Sequence, residues 1–103
     1  MSEKARFHKK VQDDIIAARN WYSKQSFDVS ARYLIAIDAG FDDIDRNPLV
    51  FPIMREEVRF LRLRKFPYLI LFRMLYDVPF IFGIVHAASD PAKWLERLDG
   101  DRT

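Results

Sequence analysis

The clearest hydrophobic pattern in the chain lies between Val58 and His86. Val, Ile, Leu, Phe and Tyr fill most positions of this segment, a composition that favours strands over helices. Lys65-Phe66-Pro67 and Asp77-Val78-Pro79 divide it, because proline cannot donate a hydrogen bond to a strand ladder. The segment therefore predicts an antiparallel meander of three strands: Val58–Arg64, Tyr68–Tyr76 and Phe80–His86.

Alternation along the middle strand predicts which face of the sheet is covered, since successive side chains point to opposite faces. On the other face, Arg73 lies among leucines, and Arg62 and Arg64 alternate with leucines in the first strand. We therefore predict one helix-covered face and one half-open face lined by arginines. The third strand is apolar on both faces, which predicts an interior position. The row expected to lie against helices is Tyr68, Ile70, Phe72, Met74 and Tyr76.

Two helices are predicted before the meander. The first begins at Val11, where apolar residues start to recur at helical spacing, and it ends between Ser23 and Phe27. The second begins at about Asp28, predicted as its N-cap, and stops at Asn47-Pro48. A joint this short predicts an antiparallel helical hairpin that covers the apolar row. Residues 47–55 are predicted to return the chain to the sheet as a loop.

The two ends of the chain complete the predicted architecture. Residues 5–10 form either a first strand at the side of the sheet or a frayed terminus. Asp90-Pro91 predicts the start of a short C-terminal helix through Leu98, followed by a loose polar tail over 99–103. The prediction is a single α+β domain over residues 1–103, with the order βααβββ and a short C-terminal helix.

Composition narrows the class of protein. At 103 residues the chain is long enough for one hydrophobic core. It contains no cysteine, which excludes disulfides, thiolate catalysis and cysteine-ligated zinc, and which fits a reducing compartment. No apolar run has the length of a membrane span or a secretory signal. We therefore expect a cytoplasmic protein that has no contact with membranes.

Charge is unevenly distributed although the formal net charge is only +2. Residues 13–45 contain seven aspartates against three basic residues, whereas residues 46–76 contain seven basic residues against two glutamates. Acidic helices and a basic sheet suit a sheet that receives an anionic or acidic partner. The alternative is a domain with ordinary solvated charges.

Several short strings, taken in order, resemble the RelE/ParE superfamily of toxins from bacterial toxin–antitoxin modules. The resemblance extends over almost the whole chain and is nearest to the ParE-like, plasmid-stabilisation branch. No single string is specific, whereas their order and spacing are. They are Asp14-Ile15, Trp21-Tyr22, Ile44, Asn47-Pro48, Phe51-Pro52, Val58-Arg59, Phe66-Pro67-Tyr68, Val85-His86, Asp90-Pro91, Trp94 and Arg97.

The resemblance implies a compact toxin that a cognate acidic antitoxin neutralises by laying an extended or helical segment across it, as a hetero-oligomer. ParE-like members inhibit DNA gyrase, whereas RelE-like members cut messenger RNA on the ribosome. The RNA-cutting members have Tyr-Arg at the start of the middle strand and His-x-x-Arg after the last one. Here these are Tyr68-Leu69 and His86-Ala87-Ala88-Ser89, so two arginines are missing. The resemblance therefore favours a gyrase-like target, with the ribonuclease and an inactive antitoxin-binding relative as alternatives.

The candidate site residues follow from these expectations. If the chain is a ribonuclease, His86, Arg62 and Arg73 are the candidate catalytic groups, although a histidine at a strand end usually fixes the turn. Neither a metal site nor a cofactor is expected, because the two histidines have no metal-ligand spacing. His8, Asp13-Asp14 and Asp42-Asp43 are predicted as surface residues, and Trp21-Tyr22 as partly core. The candidate target- or antitoxin-binding residues are Arg59, Arg62, Arg64, Arg73, Trp94 and Arg97.

Overall fold

A computed structural model describes residues 4–100, with side chains through Arg97. The helices and strands follow the predicted α+β order, with one added strand. The loose tail predicted over 99–103 is wrong at residues 99 and 100, which belong to the last helix, and residues 101–103 lie outside the described range. The elements are β1 (Arg6–Phe7), α1 (Val11–Ser23), α2 (Phe27–Arg46), a 3-10 turn (Pro48–Val50), β2 (Ile53–Arg55), β3 (Val58–Arg62), β4 (Tyr68–Leu75), β5 (Val78–His86) and α3 (Pro91–Gly100).

The five strands form one mixed sheet in the order β1-β5-β4-β3-β2. β1 runs parallel to β5 and the other pairs are antiparallel, so the predicted meander and the interior position of β5 are confirmed. β2 was predicted as loop. Its three residues pair with the start of β3 through an irregular register, which a local hydrophobic pattern does not reveal.

The turn between β4 and β5 lies one residue earlier than predicted. Tyr76 and Asp77 have φ values of 51° and 67°, and positive φ at both central residues is the geometry of a type I′ hairpin. Pro79 is the second residue of β5, where a missing N–H is tolerated near a strand end. Tyr76 therefore leaves the apolar row and is 99% exposed, so its predicted contact with the helices is wrong.

The helical hairpin covers the predicted face of the sheet. Tyr33, Ile37 and Ile44 of α2 pack with Ile70 and Phe72 of β4 in one buried cluster. Burying these large apolar side chains contributes about 1.5–3 kcal/mol each. The core places α2 across the sheet and thereby sets the walls of any groove beside it.

Two details of the hairpin differ from prediction. Ser26, rather than Asp28, is the N-cap of α2, and its hydroxyl accepts a hydrogen bond from the Val29 N–H. Asp28 instead forms an exposed ion pair with Arg32 one turn later. Of the two aromatic residues predicted as partly core, Tyr22 is half-buried, whereas Trp21 is 59% exposed.

Tyr33 is buried without a hydrogen-bond partner for its hydroxyl among the described residues. Burial, and to a smaller extent the nearby Tyr68, raises the pKa of Tyr33 far above its usual value of about 10. An acid whose pKa is higher in the folded state keeps its proton up to a higher pH there than in the unfolded state. The folded state therefore loses stability as the pH rises above about 10, the unfolded pKa of tyrosine.

The second face of the sheet carries Arg62 and Arg73, as alternation predicted, but it is less open than predicted. Val58, Leu69, Leu71 and Phe82 form a second buried cluster there, and Trp94 of α3 closes it. This part of the prediction failed because one well-placed indole on a short helix covers leucines that the strand pattern alone leaves open. Of the predicted arginines of β3, β4 and the turn between them, Arg62 and Arg64 are the exposed ones.

Candidate partner-binding groove

A groove of about 750 Å³ runs between α2 and the outer side of β3. Leu61 and Leu63, both buried, lie at its base, and basic residues of β3 and the following turn line one side. We call it the α2–β3 groove. Its lining residues are Val29, Arg32, Ile35, Ala36, Ala39, Gly40, Asp43, Phe51, Leu61, Arg62, Leu63, Arg64, Lys65 and Phe66.

Small residues on one stripe of α2 keep this groove open. Alanine and glycine leave space beside the helix that larger side chains would fill. Gly40 also lets the helix approach the sheet, since a Cβ atom there would lie 2.7 Å from Cδ1 of Ile70. The two alanines are Ala36 and Ala39, and they belong to a row of groove-lining residues that recurs every three or four positions and so faces one side of the helix: Val29, Arg32, Ala36, Ala39 and Asp43.

Ile35 lies at the mouth of the groove and is 68% exposed. Together with the alanines and the two leucines at the base, it makes this wall of the groove apolar. Apolar concave surfaces bordered by polar groups are typical of binding sites for other molecules. The groove therefore offers a buried, water-excluding contact to a partner.

The β3 side of the groove carries positive charge that the described residues do not balance. Arg62, Arg64 and Lys65 are exposed, and no ion pair to them is formed within residues 4–97. Like charges held close together repel each other, and an anionic partner relieves that repulsion. The α2 side is balanced locally, since Arg32 pairs with Asp28 and Asp43 lies 3.8 Å from Arg46.

The outer edge of β3 opens into the same groove. β2 pairs with β3 only at Val58 and Arg59, and the Phe60 N–H donates to the Pro52 carbonyl at 3.2 Å. Further along, Leu63 donates inward to Tyr68, so the backbone groups of Arg62 point outward. No strand lies beside them in the part of the chain that the structure describes.

The other predicted arginines of the sheet lie elsewhere. Arg59 faces the helix side, and its Nη1 donates to the carbonyls of Leu49 at 3.3 Å and Phe51 at 2.7 Å, which ties the 3-10 turn to the sheet. Arg73 lies on the α3 face, and its Nε is buried without a partner among the described residues. Arg62, which pairs in register with Leu69, therefore shares the α3 face with Arg73, four residues along β4, whereas Arg59 lies on the opposite face.

Trp94 and Arg97 of α3 also make internal contacts. Trp94 is 8% exposed, and its Nε1 donates to the Ser89 hydroxyl at 2.8 Å. Arg97 forms an ion pair with Asp14 of α1, with 2.7 Å between Nη1 and Oδ2. The prediction that Asp14 is a solvated surface residue is wrong, because its side chain is only 17% exposed and also accepts a hydrogen bond from the Ile84 N–H.

His86 ends β5, with its Nδ1 accepting a hydrogen bond from the Ala88 N–H at 3.1 Å. In the neutral ring this contact leaves the proton on Nε2, which is then a donor and not a base. Its carbonyl accepts bonds from the N–H and hydroxyl of Ser89, so the residue also holds the turn. A pocket of about 250 Å³ beside it is lined by Lys93 and Arg97.

Metal and membrane sites are not indicated in the described part of the chain. Within residues 4–100, no group of three or more His, Asp or Glu side chains is placed to hold a metal ion. No helix in this range has both the length and the apolar character needed to cross a bilayer.

His8, predicted at the surface, is 6% exposed, because its backbone N–H bonds to Ile81 at the edge of β5.

The groove contains residues that the sequence pattern did not single out. Lys65 and Arg32 add charge, while Ala36, Ala39 and Gly40 provide the space. The sequence does contain one indication of the α2 side of the groove, because small residues lie on a face of α2 next to its buried face. That stripe indicates a surface only when the position of β3 is known.

Comparisons with known proteins agree with this architecture. Residues 5–91 match the family described as "ParE toxin of type II toxin-antitoxin system, parDE". Among solved structures, the chain is similar to one titled "Chromosomal ParDE TA system from P. aeruginosa", with a TM-score of 0.73 and 17% sequence identity. That match covers 82% of this chain and 96% of the other, and at this identity it shows the fold alone. No curated protein matches.

Proposed function

Because this chain belongs to the ParE toxin family of type II toxin–antitoxin systems, we propose that it is the toxin of such a pair and that an acidic antitoxin neutralises it by binding in the α2–β3 groove. The observation that carries the proposal is the apolar groove with an unbalanced basic side at Arg62, Arg64 and Lys65. The toxin and its antitoxin form a hetero-oligomer in the cytoplasm.

Physical complementarity supports this choice of partner. An antitoxin segment with both apolar and acidic side chains fits the groove. Its apolar side chains pack against Leu61, Leu63 and Ile35, and its acidic side chains pair with the arginines. A flexible segment loses conformational entropy when it orders on the toxin, and the apolar contacts offset that loss. Both an extended and a helical segment satisfy these contacts.

We propose that the target is a protein of the DNA gyrase type and that the toxin acts by binding alone. The geometry of His86 fits this, because its Nδ1 accepts a hydrogen bond from the Ala88 N–H, the turn-fixing role of a histidine at a strand end. Ribosome-dependent cleavage of messenger RNA with His86, Arg62 and Arg73 is the second candidate. Arg62 lies opposite Leu69, whereas Arg73 lies four residues further along β4, so the two are about 13 Å apart along the strands, which disfavours a shared phosphate site. An inactive antitoxin-binding relative is the third.

Purified protein added to a gyrase supercoiling reaction tests the target. We expect inhibition that depends on protein concentration and that disappears when the product of the neighbouring antitoxin gene is added. Transcripts cut at codon positions on ribosomes, with supercoiling unaffected, would instead establish the ribonuclease. If producing the protein in cells does not slow their growth, and neither supercoiling nor transcripts are affected while antitoxin binding is retained, the chain is an inactive relative.

The contribution of the basic side of the groove to antitoxin binding can be measured by substitution. Replacing Arg62 and Arg64 by alanine should weaken antitoxin binding about tenfold, or about 1.4 kcal/mol, because two partly exposed ion pairs are lost. Titration calorimetry at several salt concentrations should also show a weaker salt dependence. Arg73 is left unchanged because its half-buried side chain packs on the sheet, so that its replacement would also change packing.

The matched control replaces Arg19 and Lys24, two exposed basic residues of α1 and its C-terminus that do not line the groove, by alanine. It removes the same charge from the protein and should bind the antitoxin like the parent. Equal affinities for the two double variants would show that only net charge matters and would remove Arg62 and Arg64 from the proposed site.

A further inference from the structure

The outer edge of β5 extends well beyond the strand that covers it. β1 pairs with β5 only at Phe80 and Ile81, and the His8 N–H adds one bond to the Ile81 carbonyl at 2.8 Å. β5 continues to His86, and among the described residues no strand lies beside residues 82–86 on that side. Uncovered edges of this kind pair readily with other strands.

Side chains from both layers occupy this edge in place of a strand. Asp14 of α1 accepts a hydrogen bond from the Ile84 N–H at 3.0 Å, and Nη1 of Arg97 of α3 donates to the Phe82 carbonyl at 3.0 Å. The two side chains also pair with each other at 2.7 and 3.3 Å. One acceptor and one donor therefore satisfy the backbone groups that a neighbouring strand would use.

Gly83 lies directly beside the pair. A Cβ atom at that position would lie 3.4 Å from Nη1 of Arg97 and 3.9 Å from Oδ2 of Asp14, in ordinary van der Waals contact. Residues from α1, β5 and α3 thus meet at one point. The family match ends at residue 91, where α3 begins, so Arg97 lies outside the matched residues.

We propose that the Asp14–Arg97 pair acts as a plug that closes the β5 edge and keeps a second copy of this chain from adding to the sheet there. Two identical edges that pair antiparallel form a closed twofold interface, so the associated form is a dimer rather than a fibre. The pocket beside Gly83 and His86 leaves room next to the edge on the α3 side.

The test combines Asp14→Ala with Arg97→Leu, which removes both polar ends and keeps an apolar side chain on α3. Light scattering after size exclusion should show a monomeric parent and a dimer of the double variant, with a dissociation constant of about 100 µM or tighter. Hydrogen exchange of the Ile84 amide should become at least about tenfold faster in dilute variant, where no strand or carboxylate protects it.

The matched control combines Asp13→Ala with Arg19→Leu, which removes one exposed carboxylate and one exposed guanidinium from α1 and leaves the Asp14–Arg97 contact in place. It should behave like the parent. A folded Asp14/Arg97 variant that stays monomeric up to about 1 mM, or whose Ile84 amide exchanges at the parental rate, would overturn the proposal. If the double variant does not fold, Arg97→Leu alone decides by light scattering, because it frees the Phe82 carbonyl while Asp14 still protects Ile84. A dimer then supports the proposal, and a monomer up to about 1 mM overturns it.

Discussion

Replacing Ala39 by tryptophan is expected to weaken antitoxin binding about 100-fold or more, or about 3 kcal/mol, without unfolding the protein. Ala39 is exposed on α2 and lines the α2–β3 groove, so an indole there fills space that the partner needs. The helix tolerates the change because the side chain projects away from the buried stripe of Ile37 and Ile44. Surface plasmon resonance or calorimetry with the purified antitoxin measures the loss.

Ala17→Trp is the matched control, because Ala17 is also an exposed alanine in a helix but lies on α1, away from the groove. Its affinity for the antitoxin should equal that of the parent, and both variants should show parental circular dichroism. Tight binding by the Ala39 variant would mean that the antitoxin lies outside the groove.

Replacing Asp14 by alanine is expected to lower the free energy of unfolding by about 2–3 kcal/mol, because a buried N–H loses a charged acceptor. The carboxylate binds both the Ile84 N–H and Arg97, and its side chain is only 17% exposed. In a domain of this size the change corresponds to a fall in melting temperature of about 10–20 °C. Thermal and urea unfolding followed by circular dichroism measure it.

Asp13→Ala is the control, since Asp13 is the exposed neighbour in the same turn of α1. It removes the same charge near the helix N-terminus and should change stability by no more than about 0.5–1 kcal/mol. Equal losses for the two variants would show that the helix terminus, and not the contact with β5, determines the effect.

The strands were predictable because their evidence is local. Alternation along residues 68–74 identified the face that α2 covers, and the run of β-branched and aromatic residues identified three strands. The type I′ turn was missed because Tyr76-Asp77 contains none of the glycine or asparagine that normally supplies positive φ. β2 was missed because a three-residue strand next to Pro52 forms only through pairing with β3.

The candidate site was less predictable because it depends on which elements meet. Arg62 and Arg64 were singled out correctly as exposed cations, but their alternation with leucines gave no reason to separate them from Arg73. Asp14 and its partner Arg97 are 83 residues apart, and no local pattern distinguishes Asp14 from Asp13. Long-range packing, and not strand or helix periodicity, decides these positions.

The most direct test of the α2–β3 groove as the antitoxin site is hydrogen–deuterium exchange of the chain with and without its antitoxin. The proposal predicts that bound antitoxin slows exchange over residues 29–43 of α2 and 61–66 of β3 and its turn, and leaves residues 82–97 unchanged. Slowed exchange confined to residues 82–97, with the groove residues exchanging as in the free chain, would contradict it.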